Sequence, residues 1–229
     1  MSRRIGGECV VMPFVQSVNL GSARRAGAKF GVTGIDKRPV GGPVLVRAPG
    51  PKGVGGSGLA GDRVCDLNHH GGDDQAVYAY AREDLDAWQA DLGFRLRSGS
   101  FGENLTTAGL DVTSALIGER WRIGEQAVLQ VTVPRIPCRT FAAWMDVRGW
   151  VKTFTQRGVP GAYLRVVRPG WIQAGDPLLV EHRPEHRVTV GLVFQALTTR
   201  PELLPRLLDA TDLPAEARDK ARKAAARAQ

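Results

Sequence analysis

Cys138 lies in the run Pro134-Arg135-Ile136-Pro137-Cys138-Arg139, the stretch of the chain best equipped to do chemistry. Two prolines fix the backbone on either side of Ile136 and remove N–H donors that would continue a ladder. A strand should therefore end here, with the thiol held on a stiff connection. Arg135 and Arg139 flank it, and adjacent guanidinium groups favour thiolate over thiol. A thiolate is a soft metal ligand or a nucleophile. A free cysteine is also often a small core hydrophobe, and the local residues leave both readings open.

Three further segments carry reactive side chains. In Asn68-His69-His70-Gly71-Gly72-Asp73-Asp74, the glycines let the backbone approach a ligand and form an anion-binding nest. The two histidines and two aspartates could instead ligate a divalent metal, or the run could be a plain His/Asp-rich turn. In Phe101-Gly102-Glu103-Asn104, an amide that both donates and accepts suits the edge of a heterocycle; a glycine turn with a capped loop is the bland alternative. Tyr163 and Arg165 alternate on an expected strand and so face one side, Arg165 either toward a ligand or toward an acidic partner.

These residues need elements to position them. Val10–Leu20, Pro43–Ala48, Ala76–Tyr80, Gly161–Arg168 and Pro177–His182 read as strands. Arg120–Ile123 and Ala127–Val133 read as a hairpin closed by Gly124-Glu125, with Leu129, Val131 and Val133 on one face and Gln130 and Thr132 on the other. Ala48–Gly61 is a Gly/Pro-rich loop. Arg82–Leu92 is an expected helix with Leu85, Trp88 and Leu92 on one face and Gly93 placed to stop it. Arg139–Met145 and Trp150–Gln156 are expected short helices, and Val190–Thr198, Glu202–Ala210 and Ala215–Ala228 form a helical end. The expected division is therefore 1–186, mainly β, and 187–229, three helices.

Composition narrows the classes. With 229 residues, 43% hydrophobic and 24% charged, the chain is long enough for one large globular domain with a small appendage. Its net charge of +8 sits mostly in the first 60 residues, where nine Lys/Arg meet only Glu8 and Asp36. Such a region attracts anions. Aromatics are only 7%, without an interleaved stacking platform, which argues against a nucleic-acid partner. Cys9, Cys65 and Cys138 are too few and too scattered for a disulfide framework, a CxxC zinc site or an iron–sulfur cluster. Val10–Val15 is too short and Pro-broken for a signal segment, and Val188–Thr199 too short to span a bilayer, so a cytoplasmic protein is expected. Nucleophile-elbow, P-loop and dinucleotide fingerprints are missing from the sequence.

Taken together, the motifs resemble the MOSC family, named for the C-terminal domain of molybdenum cofactor sulfurases. The resemblance runs nearly the whole length, through Thr33–Pro43, Gly61-Asp62, His70–Tyr80, Phe101–Thr106, Ile117–Gly124, Pro134–Cys138, Tyr163–Val166 and Ala174–Asp176 in fixed order. The helical end resembles the three-helix domain of a bacterial branch acting on N-hydroxylated bases such as 6-N-hydroxylaminopurine. This resemblance implies a MOSC-type β-barrel, related to the small barrel domain of pyruvate kinase. It also implies a molybdopterin-type molybdenum cofactor with the metal on Cys138, and a pocket lined by His70, Asn104 and Arg135. Two departures stand out: Asp73 and Gln75 occupy positions where the family often has Pro and Lys. Losing that Lys removes a phosphate contact, for which Lys37 and Arg38 are expected to compensate.

The resulting expectation is a reductase that converts N–OH groups of hydroxylaminopurine-type bases or amidoximes to amines. Cys138 would hold the metal, His70 would deliver protons, and Lys37, Arg38, His70, Gly71, Gly72, Asn104, Arg135 and Arg165 would bind the cofactor. The chain has no flavin, dinucleotide or iron–sulfur signal, so a separate NAD(P)H-dependent flavin reductase is the implied electron donor. The alternative is a cofactor or sulfur carrier without turnover, with Cys138 carrying persulfide. A homodimer is left open.

Overall fold

The β-branched and aromatic runs do form the strands. A computed structural model describes residues 3–5, 8–10, 12–25 and 31–227. Eight strands form one sheet: β1 (Phe14–Gly21), β2 (Lys37–Pro39), β3 (Val77–Ala81), β4 (Leu105–Ala108), β5 (Arg120–Ile123), β6 (Ala127–Pro134), β7 (Ala162–Arg168) and β8 (Leu178–His182). Their order is β8-β5-β6-β7-β3-β4-β1-β2. Neighbours are antiparallel except β3 and β4, which run parallel because the helix α1 (Arg82–Leu92) lies in the crossover between them.

The expected closed barrel is not formed by a continuous ladder among the described residues. β1 and β8 meet only at one end, where Phe14 bridges Pro177 and the Val15 N–H donates to the Asp176 carbonyl at 2.9 Å. Pro13 and Pro177 stand where further rungs would need backbone donors, and neither has one. Pro13 interrupts the expected Val10–Leu20 strand: one strand, Glu8–Val10, pairs with Arg3–Ile5 and the next begins at Phe14, while residue 11 and the side chain of Cys9 lie outside the described residues. Val44–Val46 pairs with Gly170–Ile172 in a separate ribbon.

β5 and β6 form the expected hairpin, with a loop of residues 124–126. β6 is buried on both faces. Leu129 and Val131 are fully enclosed, but so is Thr132, whose hydroxyl donates toward the Asp74 and Tyr163 carbonyls. A register shift between Val131 and Val133 marks the strand's end before Arg135.

Helices α2 (Arg139–Met145) and α3 (Trp150–Arg157) follow β6. Phe141 and Met145 of α2 enter an aromatic cluster with Trp88 of α1, Phe101, and Trp150 and Phe154 of α3. That cluster fixes α2, and with it the residue that precedes it, Cys138. At the C-terminal end come α4 (Val190–Thr198), a 3-10 helix (Pro201–Asp209) and α5 (Ala215–Arg227). Thr189 caps α4 by accepting the Leu192 N–H at 3.0 Å. The middle segment, expected as an α-helix, is 3-10 because Pro205 lies within it and cannot supply an interior N–H. Residue 228, expected in the last helix, lies outside the described residues. Val190, Val193, Leu207 and Ala221 of this region share one hydrophobic core with Val18, Leu129 and Leu164 of the sheet. No helix of the described residues is long and apolar enough to cross a membrane.

Candidate functional site

Cys138 leaves β6 in extended backbone and caps α2, so its thiol sits where the strand gives way to the helix. It opens into a cavity of about 160 Å³ that also receives Lys37, His70, Gly71, Asn104 and Arg135. Six of the nine sequence-expected site residues therefore converge. Arg38, Gly72 and Arg165 do not line this cavity. Arg38 is exposed and bound to Asp36 at 3.1 Å. Gly72 begins the 3-10 turn Asp73–Gln75, and its N–H donates to the Gly56 carbonyl at 3.0 Å. Arg165 pairs with Asp74 and lines a second cavity.

Burial would raise the Cys138 pKa. A hydrogen bond from His70, the charge of Arg135 and the backbone N–H of Phe141 outweigh it and bring the thiol down to about 6. Arg139, the other flanking arginine, takes no part in that balance. The Arg135 guanidinium is buried, donates to the Phe101 carbonyl, and lies 3.7 Å from the centroid of Phe141 and 5.2 Å from that of Tyr78. It pairs with no carboxylate among the described residues. A buried cation in this condition favours an anion beside it, whether the thiolate or a ligand.

The remaining polar residues are more committed than sequence alone suggests. Lys37 is buried, and its ammonium contacts Asp62 at 2.5 and 2.6 Å. Burial lowers the Lys37 pKa, with Asp62 opposing. Asn104, which suited either a heterocycle edge or a capped turn, has its amide occupied: Nδ2 donates to Asp62 at 2.9 Å and to the Asn19 carbonyl at 3.3 Å, and Oδ1 accepts the Tyr78 N–H at 3.2 Å. Glu103, fully buried, accepts the N–H groups of Gly99 and Phe101 and the Thr106 hydroxyl. The Phe101–Asn104 motif is thus the capped glycine turn, and it braces the cavity wall.

The histidine-rich segment holds no metal cluster. Among the described residues, no group of three or more His, Cys, Asp or Glu could hold an ion. His69 turns to Asp66 at 2.9 Å, Asp73 accepts the Gly50 N–H at 2.9 Å, and Asp74 takes Arg165. Only His70 of the four faces the thiol. A metal held here would have Cys138 as its thiolate and would bring most of its other ligands with it.

A second cavity of about 780 Å³ adjoins the first through His70, Gly71, Gln75 and Tyr163 and reaches α5 at Glu216 and Lys220. It is the size of a small-molecule site. Gln75 is on this shared wall, and its buried Oε1 has no partner among the described residues. Asp62, Gln75, Tyr78 and the second thiol, Cys65, are lining or bracing residues that sequence reading did not select. For Asp62 the signal was present, since Gly61-Asp62 is one of the quoted motifs.

Comparison with known proteins agrees with this geometry. A family model of the MOSC domain matches residues 66–179. YflK of Bacillus subtilis is 36% identical over 179 residues, 77% of this chain and 76% of that protein. A protein named Reductase from Gibberella moniliformis is 29% identical over 171 residues, 72% of this chain but only 30% of its own length. The crystal structure of YiiM from Geobacillus stearothermophilus superposes with a TM-score of 0.74 at 26% identity, over 93% of this chain and 98% of that one. Because the matched segment carries His70, Asn104, Arg135 and Cys138, and a relative aligns along three quarters of the length, the chain belongs to the MOSC domain family.

Proposed function

We propose that this chain is a reductase of N-hydroxylated compounds that works with a molybdopterin-type molybdenum cofactor. One observation carries the reading: a single low-pKa thiol, Cys138, faces a cavity beside a buried guanidinium, Arg135, that no carboxylate neutralises. A molybdopterin group suits that donor set, because its own dithiolene sulfurs complete the metal's shell where the protein offers one thiolate. When bound, this cofactor supplies the two-electron chemistry that removes oxygen from an N–OH group.

The chain's residues do the rest. Cys138 holds the metal, and Arg135 balances negative charge brought in with it. Gln75 would lie against the bound group, its Oε1 an acceptor with no partner among the described residues. His70, beside the thiol and open to the larger cavity, is placed to pass a proton to the substrate. Lys37 acts through Asp62, bracing the wall from which Asn104 hangs. Electrons come from a separate NAD(P)H-dependent flavin reductase.

The test is metal content of wild type and Cys138→Ala, both made in a host that synthesises the cofactor. The expected result is about one molybdenum per wild-type chain, none in the variant, and dithionite-driven reduction of an N-hydroxylated base by wild type alone. Molybdenum without turnover would favour the carrier reading. No molybdenum in either protein would sink the reductase reading and leave the sulfur-carrier one, for which persulfide on Cys138 is the mark.

A further inference from the structure

We propose that the groove between the loop after α1 and the outer side of α2 is the docking surface for the electron donor, a reduced flavoprotein presenting carboxylates around its flavin. The inference rests on the reductase reading above and names where its partner binds. The groove holds about 530 Å³ and is lined chiefly by Phe94, Arg95, Leu96, Arg97, Trp144 and Met145. Phe94 is 43% exposed and Trp144 37%, two large apolar rings left in solvent on one small surface. Arg95 is exposed beside them without an ion-pair partner among the described residues, and Arg97 keeps 38% of its side chain exposed although it binds Asp36. No acidic side chain lines the groove. Aromatic, Met and Arg side chains are those enriched at protein interfaces, and a basic rim steers a partner of opposite sign.

Placement separates this groove from an ordinary surface patch. Cys138 caps α2 and Trp144 is six residues along it, about 9 Å of helix rise from the thiol. A bonded route runs alongside: the Trp144 Nε1–H donates to the Ser100 carbonyl at 2.8 Å, the next residue's carbonyl, on Phe101, accepts Arg135, and Arg135 faces the Cys138 thiol. The donor face and the metal thiolate are thus the two ends of one short helix, tied by a second path through the 100–101 turn. A donor seated here stays clear of the larger cavity, which is left to substrate.

The electron balance is closed. A dihydroflavin gives up two electrons and two protons and becomes oxidised flavin. The substrate takes two electrons and two protons, its N–O bond breaks, and it leaves as amine and water.

The test uses cofactor-loaded protein, 6-N-hydroxylaminopurine and two reductants: viologen reduced by dithionite, and an NADPH-dependent flavin reductase whose flavodoxin domain is acidic. Phe94→Glu/Arg95→Glu alters exposed side chains outside the catalytic cavity. The expected result is a fall of about tenfold or more in flavodoxin-driven kcat/KM, with the viologen-driven rate unchanged. Both rates unchanged, or both falling together, would overturn the docking surface. A wild type driven by viologen but not by flavodoxin would overturn the partner class. No viologen-driven turnover would overturn the reductase reading itself, and this inference with it.

Discussion

The Arg135 guanidinium stacks 3.7 Å over the ring of Phe141, one turn into the helix that Cys138 caps. A single aromatic side chain therefore fixes both the helix and the cation beside the thiol at its start. The charge of Arg135 and the position of Cys138 are set together.

That coupling predicts the thiol's titration. In cofactor-free protein, alkylation of Cys138 by iodoacetamide, followed peptide by peptide, should rise with pH and reach half its plateau at about 6. Arg135→Met should move the inflection upward by about one unit or more, since loss of a facing cation disfavours the thiolate. An unmoved inflection would leave the low value to His70 and the Phe141 N–H.

The Asp62 side chain is wholly buried and serves three partners: the Lys37 ammonium, the Asn104 amide and the Gly21 N–H. Asp62→Ala leaves an ammonium and an amide buried without their acceptor, and should cost about 3–5 kcal/mol in urea unfolding. Adding Lys37→Met should recover part of that loss. Additive losses in the double variant would show that the pair is not coupled.

Gly71 has φ +80, and a Cβ there would stand 2.7 Å from the Gly56 carbonyl oxygen. Gly71→Ala should destabilise by about 1–3 kcal/mol and displace His70, raising the Cys138 inflection as well. If stability fell and the inflection held, the turn would not be what positions His70.

Asp84, in the first turn of α1, is raised to about 6 by burial and by its neighbours Asp111 and Glu83. An acid whose folded pKa exceeds its unfolded value of 3.8 binds more protons when folded, so stability falls as pH rises between the two values. Asp84→Asn should therefore stabilise by about 1 kcal/mol at pH 7, allowing for solvent screening, and by almost nothing at pH 4. Equal effects at both pH values would contradict this.

Local chemistry was legible in the sequence wherever a neighbour in the chain decides the outcome. Pro134 and Pro137 announced the strand's end ahead of Cys138, and the Arg82–Leu92 periodicity gave α1 with Gly93 as its left-handed cap. Long-range pairing was not legible. Asn104 looked free to read a ligand because Asp62 and Asn19, which occupy its amide, lie 42 and 85 residues away. Arg165 looked like a cofactor contact because nothing nearby revealed that Asp74 would claim it across 91 residues. The resemblance supplied a barrel, while the prolines at 13 and 177, which deny the last rungs their donors, act only once the fold brings them together.

The contact of Phe14 with Pro177 has a consequence during synthesis. On a ribosome, β1 emerges before its sheet neighbours, yet its partner β4 arrives only with residues 105–108, and the segment that shields its other edge comes with 175–178. Throughout that interval β1 has an open edge, the kind of surface on which nascent chains pair with one another. Stalling before residue 178 would leave a species prone to aggregate, even though every residue of the thiol cavity had already been made.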